Sequence, residues 1–322
     1  MDWFPATVAL ELSSACTLAC PFCDRTNWGA FGGKRATSFM DLRLFRLVVD
    51  ELKEFAPSTA ITLSYEGESL LHPQFADALT YLKAKGFRPW ISTTLLGADE
   101  TAIEALLDCC STISVSLLAP ESEFVDMGGS LAAHRQSRAN IEKLLRIRRQ
   151  RGSAAQVSVS TILRKNDSLE SERTLHFIDQ WRSLVDELQI WFEVEYGNGI
   201  RYSHRSGLKR HLKWRRVCLQ PFTYLAILSD GSISPCCVTS RVRFNSLRAE
   251  MGLQSVISSY EYRNFQAAHR DRKLDGTPCS NCELWLDDWL GDEVLTIGKN
   301  AHRLLVEGYT ARIPGDGKAM EA

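Results

Sequence analysis

Nowhere in the 322 residues does an apolar run approach the roughly 20 positions that a membrane-spanning helix needs. The opening Met-Asp-Trp-Phe-Pro lacks the basic and apolar regions of a secretory signal. Charge of one sign is lacking too: 38 Lys and Arg against 39 Asp and Glu leave a formal net charge of −1. Bulk electrostatics therefore favours neither nucleic acid nor an anionic membrane as a partner. These absences predict a soluble, cytoplasmic protein that binds neither. A phosphate-binding glycine fingerprint is also missing. Gly29, Gly32 and Gly33 precede a helical stretch but follow no strand directly, so they read as a flexible loop. Hydrophobic content of 44% and charged content of 24% are ordinary globular values, and the length suits two domains or one large one.

Cysteine, by contrast, is plentiful. Ten without a secretion signal point to thiolate chemistry in a reducing compartment rather than to a disulfide scaffold. Three of them fall within eight residues, Cys16-Thr17-Leu18-Ala19-Cys20-Pro21-Phe22-Cys23. Three thiolates on one loop can hold three irons of a cubane cluster, whereas a closed ferredoxin-type cluster takes four cysteines. An iron left without a protein ligand is an open coordination position, and open positions do chemistry where closed ones hold structure. A zinc knuckle, or chance clustering, would use the same residues without that reactivity.

Six strand-like apolar runs alternate with helical periodicity between residues 7 and 196. The strands are Thr7–Ser13, Ala60–Tyr65, Arg88–Thr94, Thr112–Leu117, Gln156–Leu163 and Leu188–Tyr196. The helices are Phe39–Phe55, Pro73–Lys85, Asp99–Cys109, His134–Arg149 and Leu169–Val185. Such alternation predicts an α/β fold of βαβ units with a parallel sheet, curled by right-handed crossovers toward an incomplete barrel of six units. The cysteine loop follows the first strand, at the end where barrel enzymes keep their active sites.

One strand register is consistently polar: Thr62, Ser64 and Glu66; Thr112, Ser114 and Ser116; Ser158 and Ser160; Glu193 and Glu195. The opposite register carries Ile61, Leu63, Ile113, Val115, Val157, Val159, Phe192 and Val194, suited to packing against helices. A polar inner column predicts an open lumen holding a polar ligand, against the plainer possibility that Ser and Thr bond neighbouring backbone. Glu193 and Glu195 on that face point to a cationic or hydroxyl-rich substrate, or to pairing with the basic segment from Arg201 to Arg216.

A second set follows the last of these strands: Cys218, Cys236, Cys237, Cys279 and Cys282. The spacing is Cys218-x12-Gly231-x4-Cys236, with Cys279-x2-Cys282 downstream. Ser229-Asp230-Gly231-Ser232 is a hairpin turn signal, and a hairpin can bring Cys218 and Cys236 together. Four thiolates satisfy zinc or an iron–sulfur cluster equally well. Cys237 is surplus to a four-ligand site; it is either a buried small hydrophobe or a functional thiol. Cys109 and Cys110 end an apolar helical segment and read as core.

The C-x3-C-x2-C loop, with an aromatic before its last cysteine, resembles the signature of the radical S-adenosylmethionine (SAM) enzymes. In that family the open iron chelates SAM, and an electron from the cluster cleaves it to a 5′-deoxyadenosyl radical that abstracts a substrate hydrogen. The resemblance implies a partial (β/α)6 TIM-like barrel over residues 1–200, a basic connector over 201–216 and a small auxiliary-cluster domain with a hairpin and helices over 217–322. The later cysteines resemble the SPASM and twitch subfamilies, which implies one auxiliary 4Fe–4S cluster on Cys218, Cys236, Cys279 and Cys282 beside the SAM-binding 4Fe–4S cluster on Cys16, Cys20 and Cys23.

Tyr65-Glu66-Gly67-Glu68 resembles the family's GGE motif, with Glu66 in place of the first glycine. It implies that Gly67 lets backbone approach SAM and that Glu68 offers a carboxylate to its ammonium. By the same resemblance Ser116 supplies a SAM-contacting hydroxyl, and Arg164 pairs with the SAM carboxylate. Related epimerases use a cysteine thiol as hydrogen-atom donor, which implies that role for Cys237. The expected activity is thus a natural-product tailoring epimerase. Alternatives are a dehydrogenase or cross-linking enzyme that passes an electron to the auxiliary cluster, and a non-catalytic metal protein. The expected partners are an external flavodoxin- or ferredoxin-type electron donor and a small-molecule or short-peptide substrate. An amino sugar is favoured, since only six residues precede the first strand and leave no room there for a leader-binding module.

Overall fold

Asp41, Asp99, Ser130 and Ser171 each accept a hydrogen bond from a backbone amide two or three residues on, from Arg43, Ala102, Ala133 and Thr174. These caps satisfy amides that a helix leaves without partners and fix where four helices begin. A computed structural model describes residues 4–21, 23–27, 36–119, 121–126, 128–163, 171–192, 195–197, 200–202, 216–237, 242–244, 247, 252–277, 279–280, 282, 294–298, 303–306 and 309–312.

Six parallel strands lie side by side in chain order: β1 (Thr7–Leu10), β2 (Ala60–Thr62), β3 (Trp90–Thr93), β4 (Thr112–Leu118), β5 (Gln156–Leu163) and β6 (Glu187–Phe192). After the single turn α1 (Asp24–Asn27), the connecting helices are α2 (Leu42–Phe55), α3 (Phe75–Ala84), α4 (Glu100–Cys109), α5 (Leu131–Arg151) and α6 (Glu172–Trp181). Neighbouring strands joined by one helix each make a singly wound sheet, the (β/α)6 partial barrel that the alternation predicts.

The sheet does not stop at six strands. A hairpin of β9 (Tyr224–Ile227) and β10 (Ile233–Ser234) joins it, with β9 parallel to β1 in the register Thr7↔Tyr224 to Leu10↔Ile227. At the other edge β11 (Val294–Gly298) pairs antiparallel with β6. β1 and β6 thus bond to β9 and β11 rather than to each other, and the barrel stays open. The hairpin turn falls at Gly231, whose φ of +82° requires glycine. Its strands extend the barrel sheet, where the sequence grouped them with the auxiliary-cluster region.

One register of each strand is apolar and faces the helices. Ile61, Leu63, Ile91, Ile113, Val115, Val157, Val159, Leu188 and Ile190 share one buried core with Phe45, Val48 and Leu52 of α2, Leu79 of α3, Ile103 of α4 and Leu144 of α5. Each such aliphatic contributes about 1.5–3 kcal/mol on leaving water. The other register is polar. Ser92, Ser114, Ser158 and Glu187 stand in one row across β3 to β6, and Ser116, Ser160 and Gln189 in the next.

One assignment changes here. Glu195 was placed on the inner face of the last barrel strand, but β6 ends at Phe192. Glu195 lies in β7 (Glu195–Gly197), which pairs antiparallel with β8 (Ile200–Tyr202) as a separate hairpin, so the alternation of β6 does not reach it. Glu193 lies outside the described residues. The inner-face acid of β6 is Glu187, in register with Ser158.

Candidate functional site

The cysteine loop leaves β1 at its C-terminal end. Cys16, Cys20 and Cys23 are half-buried thiols. Burial pushes all three pKa values up, Cys20 to about 12 with Cys23 and Cys16 as its next causes, so the thiols feel one another along the loop, although no three ligating side chains are drawn together at single-ion spacing among the described residues. Backbone amides oppose this: those of Leu18 and Thr17 favour the Cys16 thiolate, and those of Arg25 and Thr26 favour the Cys23 thiolate. The Arg25 guanidinium donates to the Leu18 carbonyl at 2.5 Å and lies near enough to favour the Cys16 and Cys20 thiolates. Three thiols kept protonated by burial and mutual repulsion, with amides already turned to the sulfurs, fit a bound metal cluster, whose cations take thiolate ligands.

Two segments brace this loop. From β2, a Cβ on Gly67 would collide with the Ser13 carbonyl, and the Glu68 amide donates to the Ala15 carbonyl at 2.7 Å. The close approach that Gly67 permits is therefore to the protein's own backbone. From β4, a Cβ on Gly128 would collide with the Ala19 carbonyl, and the Ala19 amide donates to the Gly128 carbonyl at 3.1 Å. This strap carries Phe124, 1% exposed, into an apolar cluster with Leu18, Leu96, Leu118 and Ala119, against which Cys16 and Cys20 pack. β4 ends there in a bulge between Ser116 and Leu118, and Leu118 takes a φ of +61°. Gly128 and Phe124 leave no local pattern in the sequence, because their strap touches the loop from more than a hundred positions away, whereas Arg25, two residues past Cys23, has nothing in its spacing to single it out.

Glu68 differs from its expected role. Its carboxylate is 3% exposed and accepts from Thr93 Oγ1, Thr94 N and Thr94 Oγ1 at 2.8 Å each, and from Leu70 N at 3.3 Å. Those donors fill its acceptor positions, so Glu68 holds the segment rather than reaching outward. Burial pushes its pKa up against those hydrogen bonds. The neighbouring Glu66 is half-buried, and its charge is felt at Cys23.

The inner serines are partly self-satisfied. Ser64 and Ser92 bond across β2 and β3, Ser92 Oγ meets Ser116 Oγ at 3.1 Å, Ser114 Oγ donates to Gln189 Oε1 at 3.2 Å, and Gln189 Nε2 donates to Glu187. Ser158, 2% exposed in the same row, has no partner for its hydroxyl among the described residues. Glu187 and Gln189 were legible as alternate positions of β6 but were overlooked in favour of the later acids. Arg164 and residues 203–215 of the basic connector lie outside the described residues.

In the second set, Cys218, Cys236, Cys279 and Cys282 are half-buried. Cys237 is exposed, which removes its reading as a buried hydrophobe, whereas Cys109 and Cys110 are buried as expected. The Cys236 carbonyl accepts from Tyr65 Oη at 3.0 Å. Tyr224, on the inner face of β9, feels both Cys237 and Cys236, after burial, in a phenol pKa pushed far up. The helix Tyr260–Asp271 is tied to the turn after Cys218 through Tyr262 and Gln266, both donating to the Pro221 carbonyl. Cys282 N donates to the Cys279 carbonyl at 3.2 Å, closing the C-x2-C turn. Four half-buried thiols have the donor chemistry of a cluster site.

Comparison with known proteins adds the following. A family model described as the radical SAM superfamily matches residues 10–178, and one described as an iron–sulfur cluster-binding domain, SPASM, matches residues 218–283. The tungsten-containing aldehyde ferredoxin oxidoreductase cofactor-modifying protein of Pyrococcus furiosus is 27% identical over 147 residues, 45% of this chain and 39% of that protein. The match thus spans well under half of that relative. Among solved structures, Streptococcus suis SuiB bound to S-adenosylmethionine has a TM-score of 0.62 at 17% identity, covering 88% of this chain and 71% of that one. AnSMEcpe with bound AdoMet has a TM-score of 0.58 at 13% identity, covering 82% and 83%. BtrN in complex with AdoMet and 2-DOIA has a TM-score of 0.50 at 15% identity, covering 84% and 91%. At such identities these likenesses establish the fold.

Proposed function

Because this chain belongs to the radical SAM superfamily and carries a SPASM-type cluster-binding region, its cofactors are SAM and 4Fe–4S clusters, and we propose that it is a tailoring epimerase of a small polar substrate. Cys16, Cys20 and Cys23 hold the SAM-binding cluster; Cys218, Cys236, Cys279 and Cys282 hold the auxiliary one. Reduced and loaded with SAM, the first centre supplies a 5′-deoxyadenosyl radical that takes a hydrogen atom from a substrate C–H bond. The rest belongs to the chain's own residues.

The exposed Cys237 thiol carries this reading. Its S–H bond breaks and a C–H bond forms on the opposite face of the planar substrate carbon, which inverts the centre. The sulfur radical left behind takes one electron and one proton to return to the thiol; the electron comes from an external flavodoxin- or ferredoxin-type donor. The polar rows with Glu187 and Gln189 support a substrate rich in hydroxyl or amino groups, since they make one face of the sheet polar and leave the Ser158 hydroxyl without a partner among the described residues. Ser116, at the bulge that ends β4, is the hydroxyl nearest in sequence to that rim. A second reading, oxidation with the auxiliary cluster as electron acceptor, draws on the contact between Tyr65 and Cys236.

Anaerobic protein reconstituted with iron and sulfide, given SAM and dithionite, should release 5′-deoxyadenosine. In heavy water the inverted product should carry one deuterium, whereas a dehydrogenation product would have lost two hydrogens. Cys237→Ala should still cleave SAM yet form no inverted product. Inversion at the wild-type rate in that variant would end the donor role.

A further inference from the structure

One short segment, Tyr65 to Glu68, touches both cysteine-bearing stretches, and the inversion proposed above does not use it. Tyr65 follows β2, and its hydroxyl donates to the Cys236 carbonyl at 3.0 Å across 171 residues of sequence. The segment that follows reaches the first set: Gly67 packs on the backbone of Ser13 and Ser14, and the Glu68 amide bonds to the carbonyl of Ala15, which adjoins Cys16. Within four residues the chain thus bonds to the Cys236 carbonyl through Tyr65 and to the Ala15 carbonyl, next to Cys16, through the Glu68 amide.

We propose that Tyr65 is a positioning residue that couples the auxiliary centre to the SAM-binding centre, so that filling one is felt at the other. This rests on Cys236 being a cluster ligand, as in the function proposed above. A hydrogen bond to the carbonyl of a ligating residue fixes the peptide next to its sulfur, and partners of this kind tune affinity and potential. Glu68 is fixed to Thr93 and Thr94 and its amide to Ala15, so the segment is held at both ends and a change at the loop would reach Tyr65 through it. Coupling of this type is reciprocal.

The experiment is a reductive titration of the reconstituted full chain followed by electron paramagnetic resonance, with and without SAM. In wild type, SAM should change the reduced-to-oxidised ratio of the auxiliary centre at fixed poise by about fivefold, the lower end of ordinary coupling. Tyr65→Phe keeps the ring, removes the hydroxyl and should abolish that change. An auxiliary signal indifferent to SAM in wild type, or a change of the same size in Tyr65→Phe, would overturn the proposal. If Tyr65→Phe loses its second cluster, the hydroxyl serves to hold that centre rather than to couple it, and the proposal is overturned. Wild-type protein holding about four irons per chain rather than about eight would instead overturn the assignment of Cys236 as a ligand, and the coupling with it.

Discussion

The Ala19 amide donates to the carbonyl of Gly128 at 3.1 Å, which fastens the middle of the cysteine loop to a strap from the far side of the barrel mouth. Gly128 sits at φ +77°, and a Cβ there would strike the carbonyl of the same Ala19. Gly128→Ala therefore meets two penalties at once, an unfavourable backbone conformation and a backbone collision, together about 1–3 kcal/mol. Because the penalty falls on the loop, the expected loss is local: iron should drop from about eight per chain toward about four while the second centre persists. Iron analysis and electron paramagnetic resonance of the reconstituted variant check this. Full iron content would show that the strap is dispensable.

His134 lies under the same strap, 4% exposed and edge-on to Phe124 at 5.2 Å between ring centroids. Burial, reinforced by Arg138 and Arg135, lowers its pKa from 6.5 against the smaller opposing pull of Glu121 and the Ala119 backbone. The folded state thus binds the proton less readily than the unfolded one. The stability this group contributes is present above 6.5 and is lost as pH falls through that value toward the folded pKa. His134→Phe keeps an aromatic against Phe124 and removes the titration. The stability difference between variant and wild type should shift in the variant's favour by at most about 1.4 kcal/mol per pH unit below neutrality. Anaerobic thermal melts between pH 7.5 and 5.5, conditions chosen for the test, read the effect; parallel curves would exclude it.

The Ser158 hydroxyl, without a partner among the described residues, makes a prediction of opposite sign for stability and binding. A buried polar group without a partner costs about 1–3 kcal/mol, so Ser158→Ala should leave the substrate-free protein unchanged or more stable. If the lumen row receives substrate, KM should rise about 2- to 10-fold, the equivalent of one hydrogen bond. A destabilised variant with an unaltered KM would mean that the hydroxyl serves the fold.

Much of this arrangement is legible in the chain. Gln156–Leu163 is a strand over the limits its alternation predicts, and Glu100–Cys109 and Leu42–Phe55 begin at capping aspartates within a few residues of the expected starts. Gly231 marked the β9–β10 turn. Harder to read was the two-sided commitment of Glu68, because a carboxylate after a strand has the same letter whether it faces a ligand or Thr93 and Thr94. Glu187 is hard to read for another reason: the apolar run predicts a strand from Leu188, and only the pairing with Ser158 starts it one residue earlier.

What the sequence determined alone is the chemistry available. Cysteine spacing fixes which sulfurs can meet on one short loop, and strand alternation fixes which face is polar, since both depend on residues only a few positions apart. What the tertiary structure decided is how those pieces are joined. The parallel pairing of β9 with β1, the strap at Gly128 and the reach of Tyr65 to Cys236 each link residues more than a hundred positions apart, and such contacts follow from packing rather than from any local preference of the chain.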